Sequence, residues 1–173
     1  YQTMESMATT DGLTGLVNHR TFQDRFSEML LRAERSEKPV SLILTDIDHF
    51  KNVNDTYGHP VGDVVLKAVS KVLQDQARVV DVVARYGGEE FALVLEDTEA
   101  DGAFILAERI REEIAALKHN SDQGPFSCTL SLGIAAYPVD GKHKQLLIER
   151  ADQSLYHAKE HGRNQSVRYR DIG

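Results

Sequence analysis

Asp81-Val82-Val83-Ala84-Arg85-Tyr86-Gly87-Gly88-Glu89-Glu90-Phe91-Ala92-Leu93-Val94-Leu95 is the stretch on which the fold turns. Two runs of strand-forming residues flank two glycines and two carboxylates, which reads as a β-hairpin with acid at its tip. Glycine supplies the positive φ of a tight turn and leaves room for a ligand to approach the backbone, while the glutamates offer hard oxygen ligands to a divalent cation. An ordinary solvated turn has the same composition, so the meaning of the acids depends on what the chain brings beside them.

Upstream, Asn18 is placed to cap a helix over residues 19–34, with Phe22, Phe26, Met29 and Leu30 on one apolar face. Residues 39–45 read as a strand buried on both sides, ending at Asp46-Ile47-Asp48 where a short helix begins. Pro60 suits the start of a helix to about residue 76, with Val61, Val64, Val65, Ala68 and Val72 inward. Downstream, helices are expected over about 100–117 (Phe104, Ala107, Ile110, Ile114, Leu117) and 144–161 (Leu146, Leu147, Ala151, Leu155, Ala158). A central strand over 126–137 lies between them, and 165–169 supplies an edge strand. Helices alternating with strands that include a hairpin imply an α/β sandwich around a mixed, largely antiparallel sheet. Tyr1, Met4 and Met7 recur at helical spacing before the break Thr9-Thr10-Asp11, so residues 1–10 read as the end of an upstream linker or signalling helix and 11–173 as the domain.

The chain has 173 residues, 41% of them hydrophobic, which suits one domain with a sizeable core. A formal net charge of −7 argues against general nucleic-acid or membrane-surface binding, both of which need a positive field. The single cysteine, Cys128, rules out an internal disulfide framework, fits a reducing compartment and reads as core. No apolar run is long enough to span a bilayer, so a cytoplasmic placement is expected, although a longer protein could be membrane-tethered.

Asp46 at a strand end and Glu89 at a hairpin tip can meet across neighbouring strands. Two carboxylates and a main-chain carbonyl, for instance that of Ile47, make a site for magnesium bridging nucleotide phosphates. Helix capping is the alternative for the Asp46-Ile47-Asp48 segment, with Asp48 as the cap. Lys51, Lys159 and Arg163 are candidate phosphate partners; Lys159 and Arg163 equally suit a helix C-terminus closed by Gly162. His157 and His161 stand four apart, but this is not H-E-x-x-H and no third ligand is indicated for zinc. Neither G-x-x-x-x-G-K-[ST] nor G-x-G-x-x-G occurs.

Together these stretches resemble the GGDEF domain, the diguanylate cyclase family, in its GGEEF form. The likeness runs through Asp11-Gly12-Leu13-Thr14-Gly15-Leu16, Asp46-Ile47-Asp48-His49-Phe50-Lys51, Asn54-Asp55, Tyr57-Gly58-His59 and Gly62-Asp63. It continues through Arg85-Tyr86 and the hairpin, Ser131-Leu132-Gly133, Ala151-Asp152, Leu155-Tyr156, Ala158-Lys159 and Gly162-Arg163-Asn164. The resemblance implies a sheet-and-helix fold like the nucleotidyl cyclase/polymerase palm. It also implies condensation of two GTP into cyclic di-GMP with release of two pyrophosphates, by two domains facing each other as a homodimer.

By the same resemblance Asp46, the Ile47 carbonyl and Glu89 hold Mg2+ (or Mn2+), and Glu89 or Glu90 helps deprotonate the attacking hydroxyl. Asn54 and Asp63 read guanine beside Leu13 and His59. Phe50, Lys51, Lys159 and Arg163 meet the phosphates, and Gly87 and Gly88 give the nucleotide room. Arg78-Val79-Val80-Asp81 has the spacing of the family's product-inhibition site, with Arg109 as a second-patch arginine. His19 and Ile105 depart from arginines frequent in relatives, the second in a way that weakens inhibition. An N-terminal sensory domain is implied as a partner. The rivals are a non-catalytic receptor that binds GTP or cyclic di-GMP, and a cyclase acting within one ATP. Intact Asp46, Lys51, Glu89 and Glu90 favour the enzyme, and Asn54 with Asp63 favours guanine.

Overall fold

The structure is a computed structural model that describes residues 8–173. The helical spacing of Tyr1, Met4 and Met7 lies outside the described residues. From Asn18, whose side chain accepts the Thr21 N–H at 2.9 Å, the chain enters α1 (His19–Ser36). It then forms β1 (Val40–Ile47), α2 (Phe50–Tyr57), α3 (His59–Gln76), β2 (Val82–Arg85), β3 (Glu90–Glu96) and α4 (Ala100–Ala116). β4 (Leu130–Tyr137), α5 (Lys144–Glu160) and β5 (Ser166–Arg168) complete the fold.

Strand order is β2-β3-β1-β4-β5, antiparallel except for the parallel β4–β5 pair. β1 is central because both faces are covered. Leu42 and Leu44 meet α1 and α5 on one face, and Ile43 and Ile47 meet α2, α3 and α4 on the other. The continuous apolar reading of that segment follows directly from this double burial. Gly133 of β4 is where α5 comes closest. A Cβ there would lie 2.3 Å from both the Ala151 carbonyl oxygen and the Leu155 nitrogen.

Two expectations are corrected. The inward face of α3 is Gly62, Val65, Leu66, Val69, Val72 and Leu73, whereas Val64 is 54% exposed and Val61 and Ala68 are only half-buried. The helix is rotated because Gly62 is pressed against α2, which turns Val64 outward. Residues 126–129 do not extend β4 but leave the sheet, where Phe126 pairs with His119 instead. Cys128 is buried as expected, and burial pushes its thiol up to about 11.

Candidate active site

The register of the sheet sets the acids side by side. Asp46 lies opposite Glu90, and the Ile47 N–H donates to the Glu89 carbonyl at 3.3 Å, so the end of β1 abuts the hairpin turn. Tyr86 and Gly87 close the turn with N–H groups 2.8 and 3.1 Å from the Glu90 carbonyl oxygen. Neither Gly87 nor Gly88 has the left-handed φ expected of them. At Gly87 a Cβ would lie 2.6 Å from Glu90 Oε1, so a side chain there would displace that carboxylate.

Asp46 is buried and ion-paired to Lys159, which α5 delivers across the sheet. The Glu89 carboxyl lies beside that of Asp46. Burial first, then that contact and the Asp46 charge, push the Glu89 carboxyl up to about 7, with Lys159 partly offsetting the rise. Glu90 is also raised, by burial and then by Asp46, again against the pull of Lys159. The cluster is therefore short of positive charge. Among the described residues no three His, Cys, Asp or Glu side chains gather as a metal-ligand set, so the side-chain donors available here are the Asp46–Glu89 pair. His157 and His161 stack at 3.8 Å with His161 Nδ1 2.8 Å from the His157 carbonyl oxygen.

Arg85, which carried no assigned role, ties two parts of the site. Its guanidinium donates to the Gly88 carbonyl at 2.7 Å and to both Asp11 carboxylate oxygens at 3.2 Å. Asp11 in turn accepts Thr14 N–H at 2.9 Å and Thr14 Oγ1–H at 2.8 Å, fixing the loop that carries half-buried Leu13. Burial pushes the Asp11 carboxyl up, but Thr14 and Arg85 outweigh it and hold the group below its ordinary range.

Asp48 is not the helix cap. His49 occupies the cap position of α2 with φ 57° and makes no side-chain cap bond. The buried Asp48 carboxylate instead accepts Thr129 Oγ1–H and Ser131 Oγ–H, both at 2.7 Å, and the Asn164 N–H at 3.0 Å. This anchors the turn after α5, where the Arg163 N–H closes the helix on the Ala158 carbonyl at 2.9 Å. The two aspartates part because Asp46 still belongs to β1 whereas Asp48 lies past the strand's end, in the turn before α2.

Asn54 of α2 faces α3 so closely that a Cβ on Gly62 would lie 2.0 Å from its Oδ1, and Asp63 follows on the exposed side. Lys51 and His59 stand exposed on α2 and α3, whereas the Phe50 ring is buried and leaves only its main chain for a ligand. Farther along the sheet, Arg78 grips Asp81 at 2.9 Å, donates to the Glu96 carbonyl at 2.5 Å and reaches Thr98 Oγ1 at 3.1 Å. Arg109 donates to Gln76 Oε1 at 3.1 Å, and all three product-site candidates line one cavity of about 150 Å³.

A conserved-family profile described as "Diguanylate cyclase, GGDEF domain" matches residues 8–165. The chain belongs to the GGDEF family. It is 40% identical over 161 residues to Diguanylate cyclase A of Treponema denticola, covering 91% of this chain and 43% of that protein. With Response regulator PleD of Caulobacter vibrioides it shares 39% over 163 residues, 93% of this chain and 36% of PleD. The domain thus spans less than half the length of either relative. Among solved structures, it resembles the GGDEF domain of DgcB from Caulobacter crescentus in complex with c-di-GMP, with a TM-score of 0.88 and 36% identity over 94% of this chain and 96% of that one. The active GGEEF domain of a Vibrio cholerae diguanylate cyclase gives a TM-score of 0.82 and 37% identity over 89% and 97%. The mixed sheet with helices on both faces is the fold of this GGDEF family.

Proposed function

We propose that this domain binds one GTP and, facing a second copy, joins two GTP into cyclic di-GMP with release of two pyrophosphates. The observation that carries the reading is the meeting of β1 with the hairpin, which sets Asp46 across from Glu90 and ties the Ile47 N–H to the Glu89 carbonyl, with Lys159 ion-paired to Asp46. Two neighbouring carboxylates, Asp46 and Glu89, the second pushed up to about 7, form a donor set suited to a hard dication. Asp46, Glu89 and the Ile47 carbonyl would hold Mg2+ or Mn2+, which when bound supplies the charge that neutralises and aligns the triphosphate.

Asn54 and Asp63 read the guanine edge, because an amide and a carboxylate together match its acceptor and donor pattern. Lys51, Lys159 and Arg163 hold phosphate oxygens; the Lys159 ammonium has three N–H donors and engages Asp46 without exhausting them. In each half-reaction the 3′-hydroxyl oxygen bonds to the partner nucleotide's α-phosphorus and the bond from that phosphorus to pyrophosphate breaks. The hydroxyl proton passes to a carboxylate of the Glu89–Glu90 pair. Arg78, Asp81 and Arg109 clamp the product, since arginines pair with phosphates and stack on guanine. A sensory domain precedes this one in the full protein and governs pairing of two copies in the cytoplasm.

Concentrated, nucleotide-free protein incubated with GTP and Mg2+ yields cyclic di-GMP and pyrophosphate, identified by mass. GTP binding with neither product, even after forced dimerisation, refutes the reading.

A further inference from the structure

We propose that the short hairpin of residues 118–127 is a positioning brace for α2, and that Phe126 at its base sets how tightly the domain grips the guanine end of GTP. The inference rests on the guanine-reading role proposed above for Asn54.

His119 and Phe126 exchange both backbone hydrogen bonds, at 2.8 and 2.9 Å, outside the five-stranded sheet. The hairpin tip is held by Ser121, whose Oγ–H donates to the Gly124 carbonyl at 2.7 Å and whose Oγ accepts the Gln123 N–H at 3.1 Å. From this tip Gln123 Nε2 donates to the Thr56 carbonyl at 3.0 Å, satisfying one acceptor that the end of α2 leaves open. From the base, Phe126 stacks on Tyr57 with ring centroids 4.1 Å apart and planes 9° from parallel, and the buried His119 ring leans on Phe126 at 5.3 Å. The last two residues of α2 are thus both held by this hairpin.

Asn54 lies within one helical turn of Tyr57, and its carbonyl accepts the Gly58 N–H at 2.9 Å. A helix of eight residues cannot fix its own direction in water, so its outer contacts set where the Asn54 amide points. Recognition of a base edge tolerates misplacement of only about 0.5 Å. Of the phosphate partners, Lys159 and Arg163 sit on α5 and the turn after it and do not depend on this hairpin, and Lys51 stands at the first turn of α2, the end opposite the braced Thr56 and Tyr57.

The test measures equilibrium binding of GTP, ATP and inorganic tripolyphosphate to the full chain and to Phe126→Ala and Phe126→Tyr. Phe126→Ala weakens GTP binding about tenfold, the loss expected when one or two recognition hydrogen bonds are misaligned, and leaves tripolyphosphate within about twofold. Phe126→Tyr keeps the stacked ring and restores GTP affinity. Parental GTP affinity in Phe126→Ala, or an equal loss for GTP and tripolyphosphate, overturns the brace alone. A parent that binds tripolyphosphate but does not prefer GTP to ATP overturns the guanine reading and the brace with it. Should Phe126→Ala fail to fold, Gln123→Ala removes only the exposed capping contact, and unchanged GTP affinity in that variant likewise counts against the brace.

Discussion

Replacing Glu89 by glutamine separates what the acidic cluster contributes to stability from what it contributes to function. The unfolded chain titrates this carboxyl near 4.5 and the fold near 7, so between those values the unfolded state holds fewer protons and stability falls as pH rises. The interval corresponds to about 3.4 kcal/mol at about 1.4 kcal/mol per pH unit. Glu89 is partly open to solvent, and screening reduces that to about 1 kcal/mol. Glutamine has the shape of the protonated acid and donates to Asp46 as that acid does. Metal-free Glu89→Gln therefore melts roughly 2–4 °C above the parent at pH 8. The difference shrinks to about a quarter at pH 5, where the folded parent already carries the proton. Millimolar Mg2+ raises the melting temperature of the parent and not of the variant, and cyclase turnover of the variant falls by at least about a hundredfold. Thermal melts monitored by circular dichroism at the two pH values read all of this. A variant that melts below the parent at pH 8, or gains equally at both pH values, would refute the assignment of Glu89 as a charge held against Asp46.

Gly133→Ala drives a methyl group into the α5 backbone, and denaturant titration gives a loss of at least about 1–3 kcal/mol, the range for overpacking. His119 is buried and burial lowers its pKa, so the unfolded chain takes up a proton from about 6.5 downward before the fold does. The parent accordingly loses urea stability below pH 6.5 faster than His119→Gln; identical slopes remove His119 as the cause. Arg78→Ala deletes the bonds to Asp81, Glu96 and Thr98, and inhibition of turnover by added cyclic di-GMP weakens by about tenfold or more. Equal inhibition of parent and variant argues against the clamp.

Elements with one dominant period were legible in the sequence. The α1 stripe, the Asn18 cap, the doubly buried β1 and the hairpin all occur where periodicity and turn residues place them. The phase of α3 was not legible, because valines at 61, 64, 65, 69 and 72 satisfy more than one face; only the tertiary contact between Gly62 and Asn54 selects one. Residues 126–129 continue the apolar pattern of β4, so their departure toward His119 has no local signature. That the end of β1 would abut the hairpin tip was foreseeable from strand ends, although the register sets Asp46 opposite Glu90. The hydrogen bonds from Arg85 to Gly88 and Asp11, and from three donors to Asp48, span 3 to 116 positions and exist only once the sheet is assembled.

The glycines of the motifs explain why these distant groups arrive with so little slack. Gly133 admits α5 to the sheet, and that approach carries Lys159 to Asp46. Gly62 admits the Asn54 amide against α3, and Gly87 admits the Glu90 carboxylate over the turn. In none of the three is the backbone in the left-handed region, so the requirement is for volume and not for torsional freedom. What each missing methyl group would meet differs in kind: main chain at Gly133, a short amide held in a helix at Gly62, and the far end of a flexible side chain at Gly87. Tolerance to alanine should rise in that order, because backbone atoms cannot step aside while a glutamate carboxylate can rotate away. The candidate site is thus fixed most rigidly where α5 meets the sheet and most loosely at the hairpin tip that carries Glu89 and Glu90.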